Sequence, residues 1–383
     1  MRNEFTLCKR TTGNKSVFYY YAYDADGVRR RFTTGKTTKA QAMAYCMALA
    51  KAGRLIPASK DNELFGVFAK DFWIEGKSDY LKKEALRGRE LSKPTLYRRI
   101  SDVNNHILPY FKDMKLKDIT KKKIENYMLH LAEQGLAPAT VNRFRIFLNI
   151  MLGYAVEQGY LLANPCAGVK PYIEKSREKG ILTPQEVREL FFPGNIGMFW
   201  NNNHITYAAN MLAAVTGLRL NEVRALRRED IKDDETGNPY LFISHSYSLF
   251  GIKDTKNHRT RDIPIPKSIA AMLIELCPQG GGYIFSYDGK EPVPLYQIVY
   301  RGLFDALEAM GISRAEAKRR NITFHSWRHF YNTTLRAGNI ADAKIRAITG
   351  HADEKMTDHY THFTHNELAD INRIQLEILG GIA

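Results

Sequence analysis

The chain has 383 residues, 44% of them hydrophobic and 25% charged, which is enough apolar side chain for two or three globular cores and excludes whole-chain disorder. No apolar run approaches the ~18 residues of a membrane span. The N-terminus MRNEFTLCKR lacks the apolar stretch of a signal peptide, and cysteines at 8, 46, 166 and 277, with no CxxC, exclude a disulfide scaffold and fit a reducing cytoplasm.

The net charge of +15 is unevenly spread: residues 1–60 carry +9, residues 61–175 carry +5 and residues 176–383 carry +1. A cationic front of this kind calls for an anionic partner, nucleic acid before all others, because Lys and Arg release condensed counterions from phosphates. A solubilising surface is the plainer reading of the same charge.

Residues 1–58 read as a small sheet with one helix. A strand is expected near Phe5–Arg10 and a second over Ser16–Tyr23, with Phe18, Tyr19, Tyr20, Tyr21 and Tyr23 in it. The turn residues 24–27 lead to a third strand over Val28–Thr34 that carries Arg29, Arg30 and Arg31. Thr37 or Thr38 caps a helix running to about Ala52 and stopped by Gly53. A basic β-ribbon of this size fits a DNA major groove, while alternate aromatics pack on the helix.

Residues 61–168 read as an all-helical bundle. Leu64, Phe65, Phe68, Phe72 and Trp73 share a helical face, as do Leu96, Ile100, Val103, Ile107, Leu108 and Phe111 after the start signal Ser92 and Pro94. A further helix opens at Thr120 and ends at Gly135, and the last runs from Ala139 to about Gly159. Lys121, Lys122 and Lys123, with Arg143 and Arg145, are candidate phosphate contacts, which position a protein on DNA without specifying sequence. A solvated face explains any single lysine equally well. Residues 169–180, polar and basic with Pro and Gly, read as an exposed linker. A third domain over 181–383 opens with a capping box, Thr183-Pro184-Gln185-Glu186.

Four stretches of this domain hold chemistry-bearing residues. Thr216-Gly217-Leu218-Arg219-Leu220-Asn221-Glu222 places Arg219 and Glu222 three apart, so that the carboxylate can fix the guanidinium as a phosphate fork. In Thr255-Lys256-Asn257-His258-Arg259-Thr260-Arg261-Asp262-Ile263-Pro264, Lys256 stands near a hairpin tip, within reach of a phosphate or a leaving oxygen. His325-Ser326-Trp327-Arg328 sets an imidazole and a guanidinium on one helix face, suited to an oxyanion. Gly350-His351 is followed nine residues later by Tyr360. Taken singly, each has a bland reading: a surface ion pair, a loop lysine, a satisfied core histidine, one tyrosine among 21.

The order and spacing of Arg219, Lys256, His325-x-x-Arg328, Gly350-His351 and Tyr360 resemble the tyrosine recombinases, in particular the integrases of phages, prophages and conjugative elements. The resemblance covers nearly the whole chain. It implies a multidomain α+β protein: an N-terminal sheet-plus-helix domain for arm-type DNA sites, a helical domain for core-type sites, and a mainly helical catalytic domain with a small β-sheet. It implies Tyr360 as nucleophile on the scissile phosphate, giving a 3′-phosphotyrosine and a free 5′-hydroxyl. Arg219 and Arg328 would clamp the non-bridging oxygens, Lys256 would protonate the leaving 5′-oxygen, and His325 and His351 would assist proton transfer and hold the phosphate. Glu222 would orient Arg219. Neither metal nor ATP is needed, since the phosphotyrosine conserves the bond energy. The implied partners are double-stranded DNA with arm-type and core-type sites, a homotetramer of this chain on that DNA, a host DNA-bending protein and an excisionase. The implied setting is a bacterial cytoplasm, at the nucleoid and off the membrane.

Three other readings remain. The tail histidines His359, His362 and His365, with His351 and Asp358, could suggest a metal site. A type IB topoisomerase uses the same tyrosine chemistry, although the basic N-terminal sheet favours an integrase. A recombinase-derived DNA-binding regulator would need no catalysis, yet Arg219, Arg328 and Tyr360 are all present. The apolar positions Leu368, Ile371, Ile374, Leu376, Ile378 and Leu379 predict a C-terminal helix, with a lean toward exchange between neighbouring protomers.

Overall fold

The computed structural model describes residues 4–12, 15–23, 27–51, 55, 62–175, 179–254, 260–350, 363 and 366–380. The chain divides into two compact units, residues 1–174 and 175–383. No helix among the described residues is long and apolar enough to cross a membrane.

In the first unit, β1 (Thr6–Thr12), β2 (Lys15–Tyr23) and β3 (Arg29–Thr33) form an antiparallel sheet in that order, followed by α1 (Lys39–Lys51). The register pairs Tyr21 with Arg31, Ala22 with Arg30 and Tyr23 with Arg29. Successive strand side chains face opposite ways. Tyr20 and Ala22 therefore turn inward with Cys46 of α1, and Leu7, Phe32 and Leu49 pack around them. The other face carries Tyr19, Tyr21 and Tyr23 beside Arg29 and Arg31. The Arg29 guanidinium lies 4.3 Å from the Tyr21 ring centroid, and that of Arg31 lies 5.3 Å from the Tyr19 ring.

The helical part of this unit comprises α2 (Phe65–Ala69), α3 (Asp79–Leu86), α4 (Lys93–Asp102), α5 (Leu108–Phe111), α6 (Lys121–Glu133) and α7 (Pro138–Glu157). Between α4 and α5 a wider-wound turn over Val103–Ile107 carries the chain into Pro109, which has no N–H to donate. Thr120 caps α6 by accepting from the Lys123 N–H at 3.3 Å. The short α3, which the sequence pattern does not announce, is set by Ser78, which accepts from the Leu81 N–H at 3.2 Å and donates to the Phe72 carbonyl at 2.6 Å. Phe65, Trp73, Ile107, Phe111, Ile124, Tyr127, Phe144, Leu148 and Met151 fill the core.

Two expectations for this unit change. Residues 169–174 are exposed in part, at Lys170, Pro171, Ile173 and Glu174, but they are not a free linker: Val169 is buried in the bundle core, and the buried Asn142 side chain of α7 donates to the Tyr172 carbonyl (2.9 Å) and accepts its N–H (2.8 Å). A buried amide needs partners, and this extended segment supplies them. Arg143 and Arg145 do not form an outward cationic face. Arg143 is ion-paired to Asp102 at 3.0 Å, and Arg145 donates to the Val169 carbonyl at 3.2 Å, so both hold the bundle together.

The second unit is built around α10 (His204–Thr216), whose residues 206–216 are all buried. Ahead of it, α8 (Pro184–Leu190) starts with the expected capping box of Thr183 and Glu186, and α9 (Ile196–Trp200) follows. After it come α11 (Leu220–Ala225), β4 (Ile231–Asp233), β5 (Pro239–Ile243), β6 (His245–Ser248), β7 (Gly251–Asp254) and β8 (Arg261–Pro264). The strands make a three-stranded sheet in the order β4-β5-β8 and a separate β6–β7 hairpin. Next are α12 (Lys267–Leu276), a wide-wound segment over Gln297–Phe304 leading into α13 (Asp305–Ala309), then α14 (Arg314–Arg319), α15 (Ser326–Ala337), α16 (Asp342–Thr349) and α17 (Ala369–Ile378). Buried Asn210 ties α10 to two neighbours: its side chain donates to the Ile298 carbonyl at 3.1 Å and accepts the Trp327 indole N–H at 3.0 Å. The C-terminal helix, expected to lean toward exchange, packs on its own domain within the single chain. Leu368, Ile371, Ile374 and Ile378 are buried there, and Gln375 donates to the Pro264 carbonyl at 2.9 Å.

Candidate active site

Arg219 enters the site through a turn that only glycine fits. Gly217 ends α10 at φ +65°, and a Cβ there would stand 2.8 Å from the Tyr331 ring. Two residues on, Arg219 is the N-cap of α11 in extended conformation. Its backbone N–H donates to Glu222 Oε2 at 2.9 Å, and its Nη1 donates to Glu222 Oε1 at 2.8 Å. The Arg219–Glu222 pairing expected from their spacing is therefore present.

Glu222 has a second arginine that local spacing does not single out. Arg261, the first residue of β8, donates from Nη2 to Glu222 Oε2 at 2.7 Å and from Nη1 to Oε1 at 3.3 Å. Its strand parity was the available signal. Arg261 shares its strand face with buried Ile263, two residues on, so it points inward, where a guanidinium requires an acid. Burial pushes the Glu222 carboxyl up, but Arg261 and Arg219 outweigh it and hold the group below the usual carboxylate range.

His325 and Arg328 sit one turn apart at the start of α15. Arg328 is buried; its Nη1 donates to the Gly217 carbonyl at 2.9 Å and its Nη2 donates to the Thr349 carbonyl. Burial, then the like charges of Arg219 and Arg261, pulls the Arg328 guanidinium down to about 9, with Glu222 opposing. Desolvation, then His329, Arg328, Arg219 and Lys179, pushes the His325 imidazole down to about 4, so this ring is neutral at pH 7. The His325 and His329 rings meet edge-on, 5.0 Å apart.

These arginines converge on the end of α16, which closes at Gly350 with φ +65°. The last carbonyls of a helix lack intrahelical partners and carry its negative end. Here three consecutive ones each accept from a different arginine: Ile348 from Arg261 at 2.8 Å, Thr349 from Arg328, and Gly350 from Arg219 at 3.2 Å. Three guanidiniums thus surround one carboxylate. That excess of positive charge suits an oxyanion with several oxygens, such as a phosphate.

Lys256, His351 and Tyr360 lie outside the described residues, as do the tail histidines His359, His362 and His365. In sequence, Lys256 falls between β7 and β8, and His351 follows Gly350 directly. Among the described residues no cluster of three or more His, Cys, Asp or Glu side chains is placed to hold a metal ion. Lys121 and Lys122 are exposed in the first turn of α6, with Lys121 3.6 Å from Glu125, and Lys123 is half-buried beside them.

Residues 182–367 match the phage integrase family, and residues 80–132 match the phage integrase N-terminal SAM-like domain. A tyrosine recombinase XerC-like protein of Caldanaerobacter subterraneus subsp. tengcongensis is 26% identical over 281 residues, covering 65% of this chain and 68% of the relative. The fold is that of the Tn1549 transposon integrase solved with transposon right end DNA (TM-score 0.58, 19% identity, 79% of this chain and 98% of that one). It is equally that of lambda integrase, solved as a dimer on a core site (TM-score 0.58, 18% identity, 93% of this chain and 96% of that one) and as a tetramer bound to a Holliday junction (TM-score 0.54, 18% identity, 93% and 96%). With both integrase domains matched in order, the chain belongs to the phage integrase family and is a tyrosine-type site-specific DNA recombinase.

Proposed function

We propose that this recombinase cuts and rejoins DNA through a 3′-phosphotyrosine on Tyr360, integrating and excising a mobile element by way of a Holliday junction. The observation that carries the reading is the meeting of Arg219 and Arg328 at the segment that leads into His351 and Tyr360. In the cleavage step the Tyr360 oxygen attacks the scissile phosphorus and the bond to the 5′-oxygen breaks. The tyrosine proton passes to the neutral His325, and Lys256 gives a proton to the departing 5′-oxygen. Arg219 and Arg328 stabilise the charge that gathers on the non-bridging oxygens, and His351 adds a hydrogen bond. The 5′-hydroxyl of the partner duplex then attacks the phosphotyrosine and releases the enzyme. No bond energy is lost between the two transesterifications, so neither a nucleotide nor a metal is required.

The bundle holds core-type DNA, with Lys121, Lys122 and Lys123 on phosphates. Three lysines at the positive end of a helix are unfavourable for the fold itself, which supports an anionic partner at that place. The N-terminal sheet holds arm-type DNA through Arg29 and Arg31. The working assembly is a tetramer of this chain on bacterial DNA in the cytoplasm. The lambda tetramer supports the assembly, and the transposon integrase supports a mobile element as cargo. A host DNA-bending protein and an excisionase set the direction.

The test uses a nicked suicide duplex bearing the element's core site. Wild type is expected to form an SDS-resistant protein–DNA adduct, and Tyr360→Phe to bind the duplex without forming one. An undiminished adduct in the phenylalanine variant would remove Tyr360 from the reaction.

A further inference from the structure

We propose that Arg261 is a positioning residue of the cleavage site: through Glu222 and the end of α16 it fixes Arg219 and the carbonyls of Ile348, Thr349 and Gly350 in one arrangement. The inference rests on the functional reading above and adds to it a residue that touches neither DNA nor the reacting atoms.

The geometry leads there in two steps. Arg261 reaches both halves of the cluster. Its Nη atoms take both oxygens of Glu222, and its Nε takes the Ile348 carbonyl. Glu222 in turn holds Arg219 by backbone and side chain, and Arg219 and Arg328 hold the next two carbonyls, Gly350 and Thr349. The packing leaves little slack, since a Cβ at Gly350 would lie 3.3 Å from the Arg261 guanidinium. Arg261 therefore joins β8, α11 and α16 at a single point.

The second step concerns charge. Glu222 is almost fully buried and shared between two arginines. Without Arg261, both carboxylate oxygens would have Arg219 as their remaining hydrogen-bonded arginine in the cluster. Arg219 would be drawn into a closed pair, away from a phosphate, and the Ile348 carbonyl would lose its donor. Lysine cannot replace the fork: a single ammonium has no planar set of donors to reach two carboxylate oxygens and a carbonyl together. A small displacement of reacting groups is enough to slow chemistry by about 100-fold while binding is kept.

The test compares wild type, Arg261→Gln, Arg261→Lys, Glu222→Gln and the double variant Arg261→Gln/Glu222→Gln. Each is assayed for thermal midpoint, core-site affinity, and adduct formation in a single turnover with protein in excess on the suicide duplex. Both Arg261 variants are expected to bind the core site as wild type does and to form adduct about 100-fold more slowly. The double variant is expected to be no slower than Arg261→Gln alone, because the two residues act in one chain of contacts. Wild-type rates in the Arg261 variants overturn the inference while leaving the functional reading intact. So do multiplicative losses in the double variant, or a loss of binding and folding in both the Gln and Lys variants that accounts for the slower adduct. Absence of adduct from wild type overturns the reading and this inference together.

Discussion

Arg219 and Glu222 are joined twice, by a backbone N–H to Oε2 at 2.9 Å and by Nη1 to Oε1 at 2.8 Å, so one carboxylate both starts α11 and aims the guanidinium. A buried acid between two arginines is also a stability element. Glu222→Ala leaves Arg219 and Arg261 close together without their acid and is expected to destabilise the catalytic domain by about 3–5 kcal/mol. Urea denaturation of the two proteins at pH 7 measures this. A change indistinguishable from zero would mean that the arginines find other partners.

The direction of the Glu222 shift gives a pH dependence. Its folded-state value is below the unfolded one, so its contribution is fully present above the unfolded carboxylate value of about 4.3 and is lost as pH falls through the lower folded value. Glu222→Gln removes this component. Stability measured against pH should therefore fall more steeply on acidification for wild type than for the glutamine variant. Parallel curves would show that Glu222 does not titrate in this way.

His325 supplies a second titration of the same sign of shift but opposite charge. Its imidazole is pushed down to about 4 by desolvation and by neighbouring His329, Arg328, Arg219 and Lys179. Protonation is disfavoured in the folded state, so the ring stays neutral from about pH 8 down past the ordinary histidine value near 6.5. An NMR titration of the free protein, with His325 assigned by a His325→Gln variant, should place its midpoint below about 6.5. If DNA binding brings a phosphate against the ring, as proposed, it should raise the midpoint. A midpoint at or above the ordinary histidine value in the free protein would contradict the described surroundings of the ring.

Much of this was legible before the structure. The N-terminal strands and α1 announce themselves by turn residues and alternation, and α6 and α8 by the caps Thr120 and Thr183. Arg219 with Glu222, and His325 with Arg328, follow from helical spacing. What escaped was information of long range. Arg261 sits 39 residues from Glu222 and 87 from Ile348, and nothing local in Arg261-Asp262-Ile263-Pro264 names those partners. Arg143 and Arg145 read as cationic surface because their partners Asp102 and Val169 lie 41 and 24 residues away. Residues 169–174 look like linker by composition, yet Val169 is buried and the backbone is bonded by Asn142 and Arg145 of α7.

The cation cluster also bears on metal dependence. Arg219, Arg261 and Arg328 surround one acid, and a divalent cation entering that space would be repelled. Adduct formation is expected to proceed at an unchanged rate in excess EDTA. Abolition by EDTA with rescue by a divalent ion would return attention to His359, His362 and His365.

The N-terminal sheet makes a prediction that depends on strand parity. Arg29 and Arg31 lie on the face that carries Tyr19, Tyr21 and Tyr23, while Arg30 pairs with Ala22, whose side chain is buried toward α1. If the tyrosine face is the one applied to DNA, Arg29→Ala/Arg31→Ala should weaken arm-site binding strongly, and Arg30→Ala much less. Every phosphate that the protein no longer neutralises lowers the slope of log affinity against log salt by about 0.9, so the double variant should flatten it by about two units. The rings hold the two guanidiniums at 4.3 and 5.3 Å, which limits how far they must reorder on binding. Removing residues 1–60 altogether should abolish arm-site protection and leave core-site cleavage measurable on the suicide duplex. If the two modules bind separately, their linkage should give one chain an affinity for DNA bearing both sites above that for either alone. Footprinting of full-length, truncated and substituted proteins on DNA bearing both site types reads all of these outcomes. Identical footprints for the full-length and truncated proteins would remove the sheet from DNA recognition. An Arg30→Ala loss as large as that of the double variant would show that the opposite face is the one applied.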